Sequence, residues 1–169
     1  MHLDTPESPL DPLAQRKADR GRLLRALNAS VAVLLLLTVV FSAQSSLDCR
    51  PFAVLPKTAA GLVGVLTAPL LHGSIAHLGA NAVSLVLLGT LAGAVYPRAT
   101  VRALPLVWLG SGLGAWLLGD PGTHHLGASG LTHGLMFLVF VLGLLRRDRA
   151  SIAAAMIALF LYGGMLLTI

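Results

Sequence analysis

The sequence predicts an all-α, polytopic membrane protein, and its composition and the placement of its charges carry that prediction. Mean hydropathy is +0.81, and 56% of the 169 residues are hydrophobic whereas 11% are charged. An average soluble domain has about 25% charged residues. The seven acidic residues all lie outside the apolar runs. This placement is expected for membrane spans, because a charge at mid-bilayer costs about 2.5 to 3.5 kcal/mol.

Apolar runs of spanning length occur five times, at residues 23–42, 77–96, 104–119, 129–145 and 151–169. A sixth apolar stretch, residues 57–72, contains Gly61, Gly64 and Pro69. We interpret it as a re-entrant or interfacial element in a long first loop, in preference to a full span. Residues 1–22 are polar and basic, and we expect them to form a flexible tail before a membrane domain of residues 23–169.

The basic residues predict the orientation of the spans. Ten Lys and Arg residues fall in the tail and in the loops on its side of the membrane, whereas only Arg50 and Lys57 fall on the other side. The positive-inside rule then places the N-terminus in the cytoplasm and the first loop outside. The net charge of +5 therefore reflects topology, and we expect a lipid bilayer as the partner of this chain and no nucleic acid.

Polar residues gather at the outer ends of the second and fourth runs. On an ideal helix Asn81 and Ser84 each lie within about 40° of His77, and Ser129 and His133 are one turn apart. Polar side chains in a membrane usually face the protein interior or a water-filled cavity. Each residue alone is typical of helix packing, but two stripes at one depth predict a shared cavity.

Pairs of glycines four residues apart predict places where helices pack closely. Gly89 and Gly93 form one such pair, and Gly110 and Gly114 form another. Small residues at this spacing let two helix backbones approach each other. We expect both pairs to lie at helix-helix contacts.

Two motifs together are more specific than these separate residues. His72 precedes His77 by five positions, Asn81 follows it by four, and Gly127-Ala128-Ser129-Gly130 opens the fourth run. This arrangement closely resembles the rhomboid family of intramembrane serine proteases, over residues 23–169. The resemblance implies a rhomboid-like helical bundle that cleaves transmembrane protein substrates near the outer membrane face. It also implies a multi-pass protein of a bacterial plasma membrane.

The resemblance also implies roles for individual residues. Ser129 is the expected nucleophile, and its backbone N–H is expected to form an oxyanion hole with the side chains of His77 and Asn81. His72 is expected to support the cavity entrance, and Gly127 and Gly130 to permit close approach of the backbone. This catalysis requires no metal ion and no organic cofactor.

The general base is the point at which the sequence departs from the family pattern. The family carries a catalytic histidine on a sixth span, but no Gly-His-x-x-Gly-like stretch follows Tyr162-Gly163-Gly164. Without a base a serine hydroxyl is a weak nucleophile. We therefore expect this form to be a truncated protease or an inactive relative, unless His133 serves as a substitute base.

Two other functions compete with proteolysis by serine. A non-catalytic rhomboid-like pseudoprotease would bind transmembrane helices without cutting them, and the missing base favours it. An intact G-x-S-G motif beside His77 and Asn81 opposes it, because a binding protein does not need them. A metalloprotease is disfavoured, since the sequence has no H-E-x-x-H motif and no acidic residue inside a span.

Overall fold

A computed structural model describes residues 11–147 and 149–162, which form a bundle of α-helices. The helices are α1 (Pro12–Gln44), α2 (Leu62–Thr67), α3 (Ile75–Val95), α4 (Pro97–Leu118), α5 (Ser129–Arg146) and α6 (Arg149–Tyr162). Two 3-10 turns, Arg50–Phe52 and Ala68–Leu70, lie in the first loop. The described residues contain one isolated β-bridge, between Val54 and His125, and no strand. The predicted all-α class is confirmed.

Four helices, α1, α3, α4 and α5, are long and apolar enough to cross a membrane. Helix α4 begins at Pro97, earlier than the predicted start of the third span at residue 104. Its 22 residues are about 33 Å long, which matches a hydrocarbon core of about 30 Å. Helix α6 accounts for part of the predicted fifth span, and residues 163–169 of that span lie outside the described residues.

The first helix begins before the apolar run, whereas the boundary of the membrane domain at residue 23 stays a prediction. Residues 12–22, which we expected to belong to a flexible tail, form the first turns of α1. The Asp11 side chain accepts a hydrogen bond from the Leu13 N–H, and Pro12 occupies the first helical position, so a complete helix start signal precedes the apolar run. Asp19 then accepts hydrogen bonds from Gln15 and Arg22 along the helix surface.

The core lies where α3 and α5 meet. Helix α5 packs against α3, α4 and α6, and α1 packs against α3. Apolar side chains from these helices are fully buried, including Leu37, Leu85, Leu88, Leu135 and Val139. The central position of α5 fixes the place of Ser129, which is its first residue.

The two predicted glycine seams have different outcomes. Gly89 and Gly93 face Ser30 and Ala26 of α1 closely, so that prediction is confirmed. Gly110 and Gly114 have open space where a side chain would be, so that prediction is wrong for the described part of the chain. On α4 it is Gly112 that packs closely, against the backbone of α2.

The stretch that we interpreted as a loop element is the short helix α2, followed by a 3-10 turn at Pro69. Two tryptophans of α4 fasten it to the bundle. The Trp108 ring N–H donates to the Leu66 carbonyl at 3.0 Å, and the Trp116 ring N–H donates to the Thr58 carbonyl at 2.8 Å. The first loop is therefore docked on α4 and does not cross the bundle as a spanning helix.

Gly112 provides a test of this docking. A Cβ atom at Gly112 would lie 2.8 Å from the Val65 carbonyl oxygen and 2.9 Å from the Val65 Cα. We expect Gly112→Ala to lower the free energy of unfolding by about 1 to 3 kcal/mol through overpacking. Gly110→Ala is the matched control, because a Cβ there meets nothing within 4 Å. It should leave stability unchanged or raise it by up to about 1 kcal/mol. Denaturant unfolding in detergent would measure both, and equal losses would contradict the docking.

Candidate active site

A tight turn before α5 positions the candidate nucleophile. Gly127 has a φ of +116°, a backbone conformation that residues with a side chain rarely adopt. Its N–H donates to the Ala68 carbonyl at 2.9 Å, which ties the turn to the first loop. Ala128 is buried and Ser129 begins the helix, half-buried. The turn therefore presents Ser129 at the N-terminus of α5.

The same turn packs directly against His77 and Asn81. A Cβ atom at Gly127 would lie 2.5 Å from His77 Cε1, 2.7 Å from His77 Nε2 and 3.6 Å from Asn81 Nδ2. Only a residue without a side chain leaves room for that imidazole ring. The structure thus brings His77 and Asn81 against Gly127, which lies two residues before Ser129 in the chain.

The start of α3 explains how His77 and Asn81 reach this turn. Ser74 caps the helix, and its hydroxyl accepts a hydrogen bond from the His77 N–H at 3.1 Å. Asn81 is buried one turn later, and its Nδ2 donates to the His77 carbonyl at 3.1 Å. An amide nitrogen carries two hydrogens. One hydrogen of Asn81 is therefore available for a second acceptor.

His72 lies in the connection before α3, as expected from its position off the polar stripe, and it is only 1% exposed. Its N–H donates to Gln44 Oε1 at 3.1 Å, and Gln44 Nε2 donates to the His72 carbonyl at 3.0 Å. Its ring Nε2 accepts a long hydrogen bond, 3.5 Å, from the Ala128 N–H. His72 therefore supports the Ser129 turn from the interior, and its expected role at the cavity entrance stays a prediction.

Burial keeps the His72 ring neutral. Desolvation is the largest cause that lowers the pKa of His72, and the neighbouring His77 lowers it further. The two rings are in edge contact, with centroids 5.2 Å apart and planes at 65°. A neutral ring has the Nε2 lone pair that the Ala128 N–H requires.

Ser129 faces a cavity of about 270 Å³ between α4, α5 and the first loop. Gly127 and Gly130 also line it, together with Ser111, His124 and His125. Within the described residues, neither the hydroxyl nor the backbone N–H of Ser129 has a hydrogen-bond partner. The first N–H groups of a helix carry partial positive charge and bind anions, so the Ser129 N–H is a suitable oxyanion donor.

Gly130 allows α4 to approach the first turn of α5. A Cβ atom at Gly130 would lie 2.5 Å from the Cβ and 2.8 Å from the Oγ of Ser111, and the expected role of Gly130 beside the nucleophile stays a prediction. Ser111 and Gln44 were not predicted from the sequence as neighbours of this site. The signal for each was a polar residue in or at the end of an apolar helix.

His133 is adjacent to Ser129, but it bonds the backbone. Its Nδ1 lies 2.7 Å from the Ser129 carbonyl oxygen, so Nδ1 must carry the proton and donate. Nε2 then carries the lone pair. The hydrogen bond of His133 is to the Ser129 carbonyl and not to the Ser129 hydroxyl. The role of His133 as a substitute base stays a prediction.

The burial of His72 predicts that the folded protein loses stability in acid. An unfolded histidine has a pKa of about 6.5, and the pKa of folded His72 is lower. As pH falls below about 6.5, the unfolded chain takes up a proton that the folded chain resists, so stability falls. We expect the stability in detergent to decrease from pH 7.5 to pH 5, and His72→Phe to reduce that decrease. The exposed His124 is the control, and His124→Gln should retain the full decrease. An unchanged pH profile in His72→Phe would contradict this account.

Comparison with known proteins identifies the family of the chain. A family model described as the rhomboid domain matches residues 59–169. Uncharacterized proteins of Mycobacterium tuberculosis and Mycobacterium bovis are each 38% identical over 143 residues, which is 81% of this chain and 59% of theirs. The chain thus spans about three fifths of their length. An uncharacterized protein of Mycobacterium leprae is 37% identical over 111 residues, 63% of this chain and 44% of that protein. No solved structure matches the chain. The chain belongs to the rhomboid family of intramembrane proteins.

Proposed function

We propose that this protein is an intramembrane serine endopeptidase that cleaves transmembrane protein substrates near the outer membrane face. The observation that carries the proposal is the contact of the Gly127 turn with His77 and Asn81. It places two polar side chains beside the N-terminus of a helix that begins with a serine. This combination serves acyl transfer, whereas helix packing alone does not require it.

The proposed reaction begins with attack of the Ser129 hydroxyl oxygen on the scissile carbonyl carbon. The proton of the hydroxyl passes to a base, and the carbonyl oxygen becomes an oxyanion. The Ser129 N–H, the His77 ring and the free hydrogen of the Asn81 amide are the proposed donors to it. Removing one such donor typically lowers kcat by about 10² to 10³-fold. The base then protonates the leaving amine, and water hydrolyses the acyl-enzyme.

The base that the described residues offer is His133, through its Nε2. Its Nδ1–H bond to the Ser129 carbonyl fixes the tautomer in which Nε2 can accept a proton, as the buried carboxylate of a catalytic triad does for its histidine. No metal ion or organic cofactor takes part in the proposed reaction.

The site also supports proposals on substrate and orientation. With the N-terminus in the cytoplasm, the basic ends of the helices face inside and Ser129 lies toward the outer face. A peptide bond within a stable helix is shielded from attack, so we propose substrates whose transmembrane helices unwind easily near that face. We place the protein in a bacterial plasma membrane.

Ser129→Ala tests the nucleophile. With the 169-residue chain in liposomes beside a single-span substrate, we expect cleavage and labelling by a fluorophosphonate to be lost in Ser129→Ala. The control is Ser42→Ala, whose hydroxyl bonds its own helix on the exposed surface of α1, and it should keep both. His77→Ala should slow cleavage by about 10² to 10³-fold. Labelling that survives Ser129→Ala would contradict the assignment.

His133→Ala tests the base separately. If Nε2 accepts the proton, cleavage should fall by about 10² to 10⁴-fold, with Ser129→Ala as the fully inactive reference. His125→Ala is the control, because that histidine lines the same cavity but bonds Thr123. Cleavage that is lost in Ser129→Ala but unaffected in His133→Ala would exclude His133.

A non-catalytic helix-binding protein is the second candidate function. The observation that favours it is that His133 bonds the Ser129 carbonyl, and that no hydrogen bond joins His133 to the Ser129 hydroxyl in the described part of the chain. This function predicts that a transmembrane helix is retained by the wild type and by Ser129→Ala equally, with no cleavage and no labelling. Cleavage by the wild type would exclude it.

A further inference from the structure

An apolar groove of about 420 Å³ lies on α3 and α5 and is bordered by α1 and α4. It is separate from the cavity at Ser129. Small side chains leave space for the groove on two of the helices. These residues are Ala26 and Ala29 of α1 and Gly89 and Gly93 of α3. Leu104 and Trp108 of α4 form the wall across from them. The groove is thus a narrow channel in the membrane-facing surface of the bundle.

The groove has the length of one lipid leaflet. On α1 its lining extends from Arg22 to Val33, which is about 16 Å at about 1.5 Å per residue. Half of a hydrocarbon core of about 30 Å is about 15 Å. One end of the groove therefore lies at headgroup depth, and the other lies near mid-membrane.

Positive charge occupies the headgroup end. Arg22 and Arg25 line it there. Arg22 pairs with Asp19, but Arg25 has no carboxylate partner in the part of the chain that the structure describes. Arginine binds phosphate groups with its planar set of N–H donors, so an anionic headgroup complements this end.

A buried hydroxyl along the groove also has no partner. Thr100 is 7% exposed and lines the groove. Within residues 11–147 and 149–162, its hydroxyl makes no hydrogen bond. A buried donor without a partner carries a desolvation cost, which the ester and phosphate oxygens of a lipid would offset.

We propose that this groove binds one anionic glycerophospholipid, with an acyl chain along α3 and α5 and the phosphate at Arg22 and Arg25. Basic pockets between membrane helices favour such headgroups. A partner helix would need a costly acidic residue to match the arginines. A second copy of this chain would bring its own basic end, with Arg98 and Arg102, against them. The proposal does not depend on catalysis.

Trp108 makes the groove measurable, because it lines the deep end. In the Trp116→Phe background it is the only tryptophan. Phosphatidylglycerol brominated on one acyl chain, as a minor component of phosphatidylcholine vesicles, should quench Trp108 more strongly than brominated phosphatidylcholine at the same mole fraction. Equal quenching by the two lipids would overturn the proposal.

Arg25→Gln should reduce this preference about five-fold, because one basic residue near an anionic lipid surface contributes about that factor. Arg102→Gln is the control. It removes the same charge from the same end of the bundle, but its exposed side chain does not line the groove. Equal reductions in both variants would show general charge attraction and would overturn the site.

Filling the groove tests the acyl chain. Ala29 is exposed and lines the groove, whereas Ala32 is exposed on α1 outside it. Ala29→Phe should abolish the preferential quenching and Ala32→Phe should not. Retained preference in Ala29→Phe would overturn the proposal. Cross-linking of two copies through Arg25 would also overturn the proposal if Ala29→Phe abolished it. The occupant of the groove would then be a second copy.

Discussion

Backbone groups that are not helical must find hydrogen-bond partners inside the protein when they lie beside a membrane, and this requirement organises the outer end of the bundle. The loop before α3 and the loop before α5 satisfy this requirement by bonding each other. Val54 and His125 exchange both backbone hydrogen bonds at 2.9 Å, and the Gly127 N–H donates to the Ala68 carbonyl. Because each loop completes the other, the position of Ser129 depends on a segment more than fifty residues earlier in the chain.

That mutual bonding explains why glycine is needed at residue 127. The turn reaches the Ala68 carbonyl and still starts α5 against α3, and Gly127 has a positive φ at this point. The space beside its Cα is then filled by the His77 ring. A backbone requirement and a packing requirement therefore coincide at a single residue, since the turn that bonds the first loop also contacts the His77 imidazole.

Sequence patterns predicted the parts of the fold that hydropathy and helical periodicity determine. They located the four long helices and the shared face of His77 and Asn81. They did not locate the start of α1, because the first turns of that helix are polar and leave no hydropathy signal. Gly110 and Gly114 had the right spacing for a seam, but the rotation of α4 about its axis is set by Gly112 and the tryptophan contacts. Gln44 and Ser111 likewise act through partners distant in sequence.

Helix α5 lies between the candidate site and the groove. Ser129 and Gly130 line the cavity, whereas Leu131 and Leu135 line the groove. Two residues along a helix turn it by about 200°, so Ser129 and Leu131 face nearly opposite directions. The first turn of α5 thus has the apolar groove on one side and the polar cavity on the other. An acyl chain against Leu131 and Leu135 would support the face of α5 that the loops do not reach, and would keep the N-terminal serine directed toward its cavity.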